Sequence, residues 1–316
     1  MEGQKIIYRM LLVLTMIPSL LIAQKIIDED LLLNNGTIEL PGTLSYPDSP
    51  TQLPLAVFIH GSGNVDRNGN QSGVGIKANY IKILADSLNQ KGIAFYRYDK
   101  RTATSHNLDK IASVTLHSFA DDAKIAIDHL KNDSRFGPIY LIGHSQGSLV
   151  AMLSITPEIS GYISIAGPGQ TVDKVILEQL SNQNADLAKV AGEHIQELKT
   201  TDTIERVHPF LMQLFQPRNQ KFFKSWMLLD PVEELKKIDI PILLLQGEED
   251  LQVTNKDFQK LMEANPNANG AIVPQMNHVL KDVYSVAENQ NSYFNENFPL
   301  SRALVEKIVE FINPKK

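Results

Sequence analysis

Not one of the 316 residues is a cysteine. That absence excludes disulfides, a thiolate nucleophile and a lipid-modified N-terminal cysteine. Basic residues are not in excess: 30 Lys and Arg stand against 36 Asp and Glu, for a net charge of -6. Such a chain carries no basic stripe to neutralise a phosphate backbone or coat an anionic membrane, so nucleic acid is not an expected partner. Low-complexity tracts and internal repeats are missing, and charges of both signs are interspersed. With 43% hydrophobic and 21% charged residues, the composition is that of a globular protein with a sizeable core, long enough for one large domain with an insertion or for two domains. A long apolar run is also lacking. The stretch from Met10 to Ile22 is shorter than the roughly 20 residues that cross a bilayer. Lys5 and Arg9 precede it and Ala23 and Gln24 follow, which is the pattern of a secretory signal peptide over residues 1–23, cleaved after Ala23. A secreted or periplasmic mature chain is expected, with a buried first helix or a membrane anchor as the alternative.

Beyond the signal, Gly36 to Leu40 and Gly42 to Tyr46 are short alternating runs around Pro41-Gly42, which suggests a β-hairpin at the start of a first core segment, residues 24–166. Leu53 to His60 then forms a nearly continuous apolar run, as in a strand buried on both faces. Helical periodicity over Ile76 to Lys91, a strand over Ile93 to Tyr98, a helix over Leu116 to Leu130 and a strand over Ile139 to Ile142 follow. The alternation continues with a helix from Ser145 to Ser154 and a strand from Tyr162 to Ala166. After an interruption it resumes in residues 236–316, with Ile240 to Gln246, Lys256 to Ala264, Ala271 to Val273 and Ser301 to Ile312. Strands alternating with helices imply an α/β fold with a mostly parallel central sheet flanked by helices, because a parallel return needs a crossover. Ligands of such sheets bind at the carboxyl ends of the strands. The interruption, residues 167–235, has helical periodicity without strand signals and is expected to form a helical cap. Its aromatics Phe210, Phe215, Phe222, Phe223 and Trp226 either line a substrate cavity or fasten the insertion to the core.

Gly143-His144-Ser145-Gln146-Gly147 follows a strand directly and opens a helix, the context in which G-x-S-x-G is a nucleophile elbow. A serine hydroxyl needs a base to remove its proton, and the base needs an acid to hold its tautomer. In this arrangement acid and base come later in the chain. The turn Gly247-Glu248-Glu249-Asp250 offers three carboxylates, of which Asp250 is favoured by its place after the strand end. Pro274-Gln275-Met276-Asn277-His278 holds the only histidine downstream of that turn, so His278 is the expected base. His144 adjoins the nucleophile, and its side chain is expected to point away from Ser145. The developing oxyanion needs two N–H donors. One is expected from the backbone of Gln146, the other from the loop His60-Gly61-Ser62-Gly63-Asn64, through Ser62 or else Gly63, with His60 and Gly61 as supports. A phosphate-cradling loop is the rival reading, but no Gly-Lys-Ser/Thr follows it. Neither a metal nor a cofactor is called for.

These motifs resemble the α/β-hydrolase superfamily over Gly36 to Ile312. His60-Gly61-Ser62-Gly63 with Asp66-Arg67, Arg97-Tyr98-Asp99-Lys100-Arg101, Gly143 to Gly147, Gly167-Pro168-Gly169 and Asp230-Pro231 resemble a bacterial branch of prolyl-oligopeptidase-like, secreted esterases. The resemblance implies a carboxylic-ester hydrolase with Ser145, Asp250 and His278 as triad, no cofactor, a helical cap and small-molecule ester substrates. The same triad also serves peptidases and amidases, and a binding protein on an inactive hydrolase fold is the alternative of another class. One departure is visible: Thr102-Ala103-Thr104 stands where the family often has a Gly-x-Gly turn, which implies a different loop path and pocket shape. Asp66 and Arg67 are expected to form a surface ion pair, with orienting the oxyanion loop or meeting a polar substrate as the alternatives.

Overall fold

The computed structural model describes residues 25–111 and 113–314; the expected signal peptide, residues 1–23, lies outside them. Among the described residues ten strands and eleven α-helices alternate. The first half runs β1 (Ile26–Asn35), β2 (Ile38–Pro47), β3 (Leu53–Ile59), the two-residue β4 (Asn70–Gln71) and β5 (Ile76–Lys77), α1 (Tyr80–Asn89), β6 (Ala94–Tyr98), α2 (Leu116–Leu130), β7 (Phe136–His144), α3 (Gln146–Leu153) and β8 (Ile159–Ile165). A helical stretch follows: α4 (Val172–Gln183), α5 (Ala185–Thr201), α6 (Met212–Phe215), α7 (Pro217–Met227) and α8 (Pro231–Leu235). The chain closes with β9 (Ile242–Gly247), α9 (Asn255–Ala264), β10 (Asn269–Val273), α10 (Val286–Asn291) and α11 (Arg302–Ile312).

The main sheet has eight strands in the order β1-β2-β6-β3-β7-β8-β9-β10. Its first two pairings are antiparallel and the remaining five are parallel. Period-2 side-chain alternation explains why β3 reads as a solid apolar run: Leu55, Val57 and Ile59 enter one core cluster, while Ala56 and Phe58 enter another. The first cluster joins the sheet to α2 and α3, the second to α1 and α11. Covering both faces in this way is what a parallel sheet requires.

The N-terminal hairpin differs from the sequence reading. Its turn lies at Gly36-Thr37, where Gly36 adopts φ 61°, and the rest of the first run, Ile38 to Leu40, joins the second in one strand, β2. Pro41 sits inside β2, opposite Leu32. Its carbonyl accepts from the Asp99 N–H at 2.7 Å, so its nitrogen faces the β6 side just beyond the last register pair, Gly42 with Tyr98. A proline is tolerated there because no ladder donor is needed. Helix α1 also starts later than its periodicity suggested, at Tyr80, because Ile76-Lys77 pairs with Asn70-Gln71.

Residues 167–235 carry helices and no strand, with an apolar cluster of their own built on Ala191, Ile195, Leu198, Phe215 and Phe223. Phe222 stacks edge-on against Phe119 of α2 at 5.6 Å between centroids, and the Ser225 hydroxyl accepts from the Leu116 N–H at 3.0 Å. Four of the five aromatics thus fasten the insertion internally or to α2, while Phe210 remains 83% exposed. Two further bonds, Gly169 N–H to Asp257 Oδ1 and Lys260 Nζ to Gln170 Oε1, anchor the start of this stretch to α9.

Candidate active site

Strand β7 ends at His144 and α3 begins at Gln146, so the whole reversal is made by Ser145. Its backbone lies at φ 54°, ψ -124°, a conformation rarely held by a residue with a side chain. The Ser145 N–H is tied to the Ile165 carbonyl at 2.9 Å. Two glycines make the turn sterically possible. A Cβ on Gly147 would stand 2.1 Å from the Ile59 carbonyl oxygen and 2.4 Å from that of His60, and one on Gly143 would stand 2.4 Å from the Gly147 oxygen. These neighbours are backbone and cannot rotate away. Gly147→Ala is therefore expected to destabilise the fold by about 1–3 kcal/mol or more. Urea denaturation measures it, and an unchanged midpoint would contradict the close approach.

Asp250 and His278 follow the ends of β9 and β10, the last two strands of the sheet. In β9 and β10, Gly247 and Val273 are register partners, so the turns that follow them are neighbours. Asp250 Oδ2 and His278 Nδ1 are 2.8 Å apart, both residues buried. Asp250 Oδ1 accepts the N–H groups of Gln252 at 2.8 Å and Val253 at 3.0 Å. Burial pushes the Asp250 carboxyl up, but the facing His278 and these donors outweigh it and hold the group below its ordinary range. Of the three carboxylates in the turn Asp250 is the buried one; Glu248 and Glu249 are exposed. The His278 loop is fixed by two non-glycine residues in the left-handed region, Gln275 and Leu280, and by the Lys281 N–H bonding Asn277 Oδ1 at 3.1 Å. Asn289 of α10 accepts from Asn277 Nδ2 at 3.2 Å and donates to the Glu249 carbonyl at 2.7 Å. One amide thus links the immediate neighbours of His278 and of Asp250.

His144 turns away from the nucleophile into the core. Its Nε2 faces the His278 carbonyl oxygen at 2.8 Å, and a carbonyl only accepts, so this nitrogen carries the proton and Nδ1 receives the Tyr80 hydroxyl at 3.3 Å. Desolvation, with the neighbouring His278 adding to it, lowers the His144 imidazole to about 3. His60, also buried and bonded to the Tyr98 carbonyl, is lowered to about 4 by desolvation first and the Lys100 cation second. Both rings stay neutral in the fold while an unfolded chain protonates them below their ordinary 6.5. Between those limits the unfolded state binds more protons, so stability is full above pH 6.5 and is lost as pH falls toward 4. Thermal melting from pH 7.5 to about 4.5 is expected to show a falling midpoint; a flat profile would mean that these rings are charged or solvated.

The loop after β3 lies against Ser145: a Cβ on Gly61 would be 3.1 Å from that of Ser145. Gln146 opens α3, so its N–H has no acceptor within the helix. The Ser62 N–H, among the described residues, has no protein acceptor either. Gln146 follows Ser145 directly, and Ser62 follows the glycine packed on it, so each of these backbone N–H groups, without a protein acceptor, is close in the chain to that contact. Gly63 adopts φ 89° and packs on Gln71.

Comparison with solved structures gives the same fold. Est1E from Butyrivibrio proteoclasticus superposes with a TM-score of 0.57 over 90% of this chain and 97% of its own, at 16% identity. The chain has the α/β-hydrolase fold. An acylaminoacyl peptidase from Pyrococcus horikoshii matches this hydrolase fold equally well, with a TM-score of 0.57 over 92% of this chain and 42% of that one, at 16% identity. In sequence, Esterase EstD of Thermotoga maritima is 31% identical over 255 residues, which is 76% of this chain and 58% of EstD. The chain thus spans less than two thirds of that relative's length. The family model of serine aminopeptidases, S33, matches residues 71–221, which include the Ser145 elbow and stop before Asp250 and His278.

Three features of this chain escaped the sequence reading. Asp66 and Arg67 do not pair with each other: Asp66 Oδ1 accepts the Asn68 and Asn70 N–H groups at 2.8 Å, while Arg67 binds Asp99 through two nitrogens at 3.1 and 2.9 Å. Arg67 also reaches the Gly42 carbonyl at 2.9 Å, tying the loop to β2 and the end of β6. The second is the His144 bond to the His278 carbonyl. The third is Lys100, buried between the oxyanion loop and α3. Apart from the local turn at Asp66, nothing in the spacing announces these partners, because they lie on separate segments of the chain.

Proposed function

We propose that this chain is a carboxylic-ester hydrolase that forms an acyl-enzyme on Ser145. The observation that carries this reading is the buried Asp250–His278 pair at 2.8 Å, with the His278 carbonyl held by His144, the residue before a serine whose backbone is at φ 54° between a strand and a helix. Asp250 takes up the Nδ1 side of the imidazole, which leaves Nε2 with its lone pair as the base. Ser145 Oγ attacks the ester carbonyl as its proton passes to His278 Nε2. Charge collects on the carbonyl oxygen, where the Ser62 and Gln146 N–H groups receive it. Collapse of that intermediate breaks the carbon–alkoxide bond, and the alcohol departs with the proton from His278. Water, deprotonated by the same nitrogen, then releases the acid and restores Ser145.

Names such as EstD and Est1E support an ester as substrate. The aminopeptidase family model and the acylaminoacyl peptidase neighbour support a second reading, amide cleavage by the same residues. Rates on p-nitrophenyl acetate and on aminoacyl p-nitroanilides separate the two. Turnover of the acetate is expected, and nitroanilide cleavage without ester turnover would replace the first reading by the second. Residues 167–235 act as a helical cap over the carboxyl strand ends in this account, and residues 1–23 direct export to the periplasm or medium. N-terminal sequencing of the protein exported from a bacterial host tests the latter, with Gln24 expected as the first residue.

A further inference from the structure

Lys100 stands two residues after the end of β6 and is 5% exposed. Its Nζ donates to the Gly61 carbonyl oxygen at 2.8 Å and to Gln146 Oε1 at 2.8 Å, and it lies 4.4 Å from the centre of the Phe119 ring. Among the described residues it has no carboxylate within ion-pairing distance; Asp122, the nearest charge of opposite sign to influence it, is itself bound by Arg101. A buried ammonium held only by neutral acceptors is costly, and desolvation accordingly lowers this group to about 7.

The two acceptors are informative. The Gly61 carbonyl and the Ser62 N–H belong to one planar trans peptide unit, so they point in opposite directions. Fixing the oxygen on Lys100 therefore fixes the direction of the Ser62 N–H. A glycine at position 61 gives this peptide the freedom to rotate, and the ammonium removes it. The second acceptor is the side chain of Gln146, whose own N–H is the other donor next to Ser145. A cation drawing on a carbonyl oxygen also polarises the attached N–H and strengthens it as a donor.

We propose that Lys100 is a positioning residue that builds the oxyanion hole, fastening the two donor-bearing residues, Ser62 and Gln146, to one ammonium. This rests on the reading of Ser145 as nucleophile. Lys100→Met keeps the length of the side chain and its packing on Phe119 while removing both hydrogen bonds and the charge. With p-nitrophenyl acetate, kcat is expected to fall about 10- to 100-fold, at or below the loss typical of one oxyanion donor, while KM stays within about threefold. Affinity for a trifluoromethyl ketone, which adds to Ser145 and places an oxyanion in the hole, is expected to fall in parallel with kcat. A merely structural role would lower the melting temperature or raise KM without that selective loss. Unchanged kcat, or a lower kcat with full affinity for the ketone, would overturn the proposal. Should Lys100→Met fail to fold, Lys100→Gln, whose amide still donates one bond, is expected to show a smaller parallel loss in kcat and ketone affinity. Wild-type values for Lys100→Gln in both measurements would count against it equally. If Ser145→Ala is inactive and Lys100→Met fully active, only this inference fails; if Ser145→Ala is active, the reading beneath it fails.

Discussion

Replacing Ser145 with alanine is expected to lower kcat on p-nitrophenyl acetate by a factor of about 10⁴–10⁶, with folding unaffected. The size follows from the change of mechanism: without the hydroxyl no acyl-enzyme forms, and only the oxyanion donors and substrate binding remain to help water attack. Folding should survive because the Ser145 hydroxyl makes no hydrogen bond among the described residues. The unusual backbone at φ 54° costs alanine about what it costs serine. Equal melting temperatures with lost turnover would place the defect in the chemistry. Retained turnover at more than a few per cent of wild type would remove Ser145 from the mechanism.

Replacing His278 with alanine is expected to lower kcat by a comparable factor, about 10⁴–10⁶, and here stability should change as well. The imidazole is both the base and the counterpart of a buried carboxylate, 2.8 Å away. Its removal leaves Asp250 with only the Gln252 and Val253 N–H groups. A buried charge that loses its partner typically costs about 3–5 kcal/mol, unless the group takes up a proton instead. The carboxyl of the variant should therefore titrate higher than in the parent, and the melting temperature should improve on mild acidification relative to wild type. A variant that keeps both its activity and its stability would show that the 2.8 Å pair is neither catalytic nor structural.

How much of this was legible beforehand depended on how local the signal was. Helix α2 matches its sequence reading at both ends, because its apolar stripe and the capping box at Thr115 lie within one continuous stretch. The parallel core strands were legible as apolar runs, since burial on both faces leaves no alternation. The N-terminal hairpin was misplaced because Pro41-Gly42 looks like a turn in isolation; only the position of β6 explains why a proline is harmless there. At the site, the elbow was visible as a pentapeptide between a strand and a helix. Asp250 and His278 followed from chain order after strands. The groups that hold these in place were invisible: Asn289 bridges two turns, His144 fixes a carbonyl 134 positions downstream, and Lys100 gathers Gly61 and Gln146 from separate segments. Such contacts are set by the folded sheet, and no spacing along one segment encodes them.

The central claim is that Ser145 is made nucleophilic by His278. Incubating the native protein with a fluorophosphonate ester, followed by intact-mass and peptide mass analysis, tests it most directly. The account predicts one adduct, on the peptide containing Ser145, that forms quickly in the wild type, is absent in Ser145→Ala and forms far more slowly in His278→Ala. An adduct on another residue, or labelling of Ser145 at the same rate without His278, would contradict it.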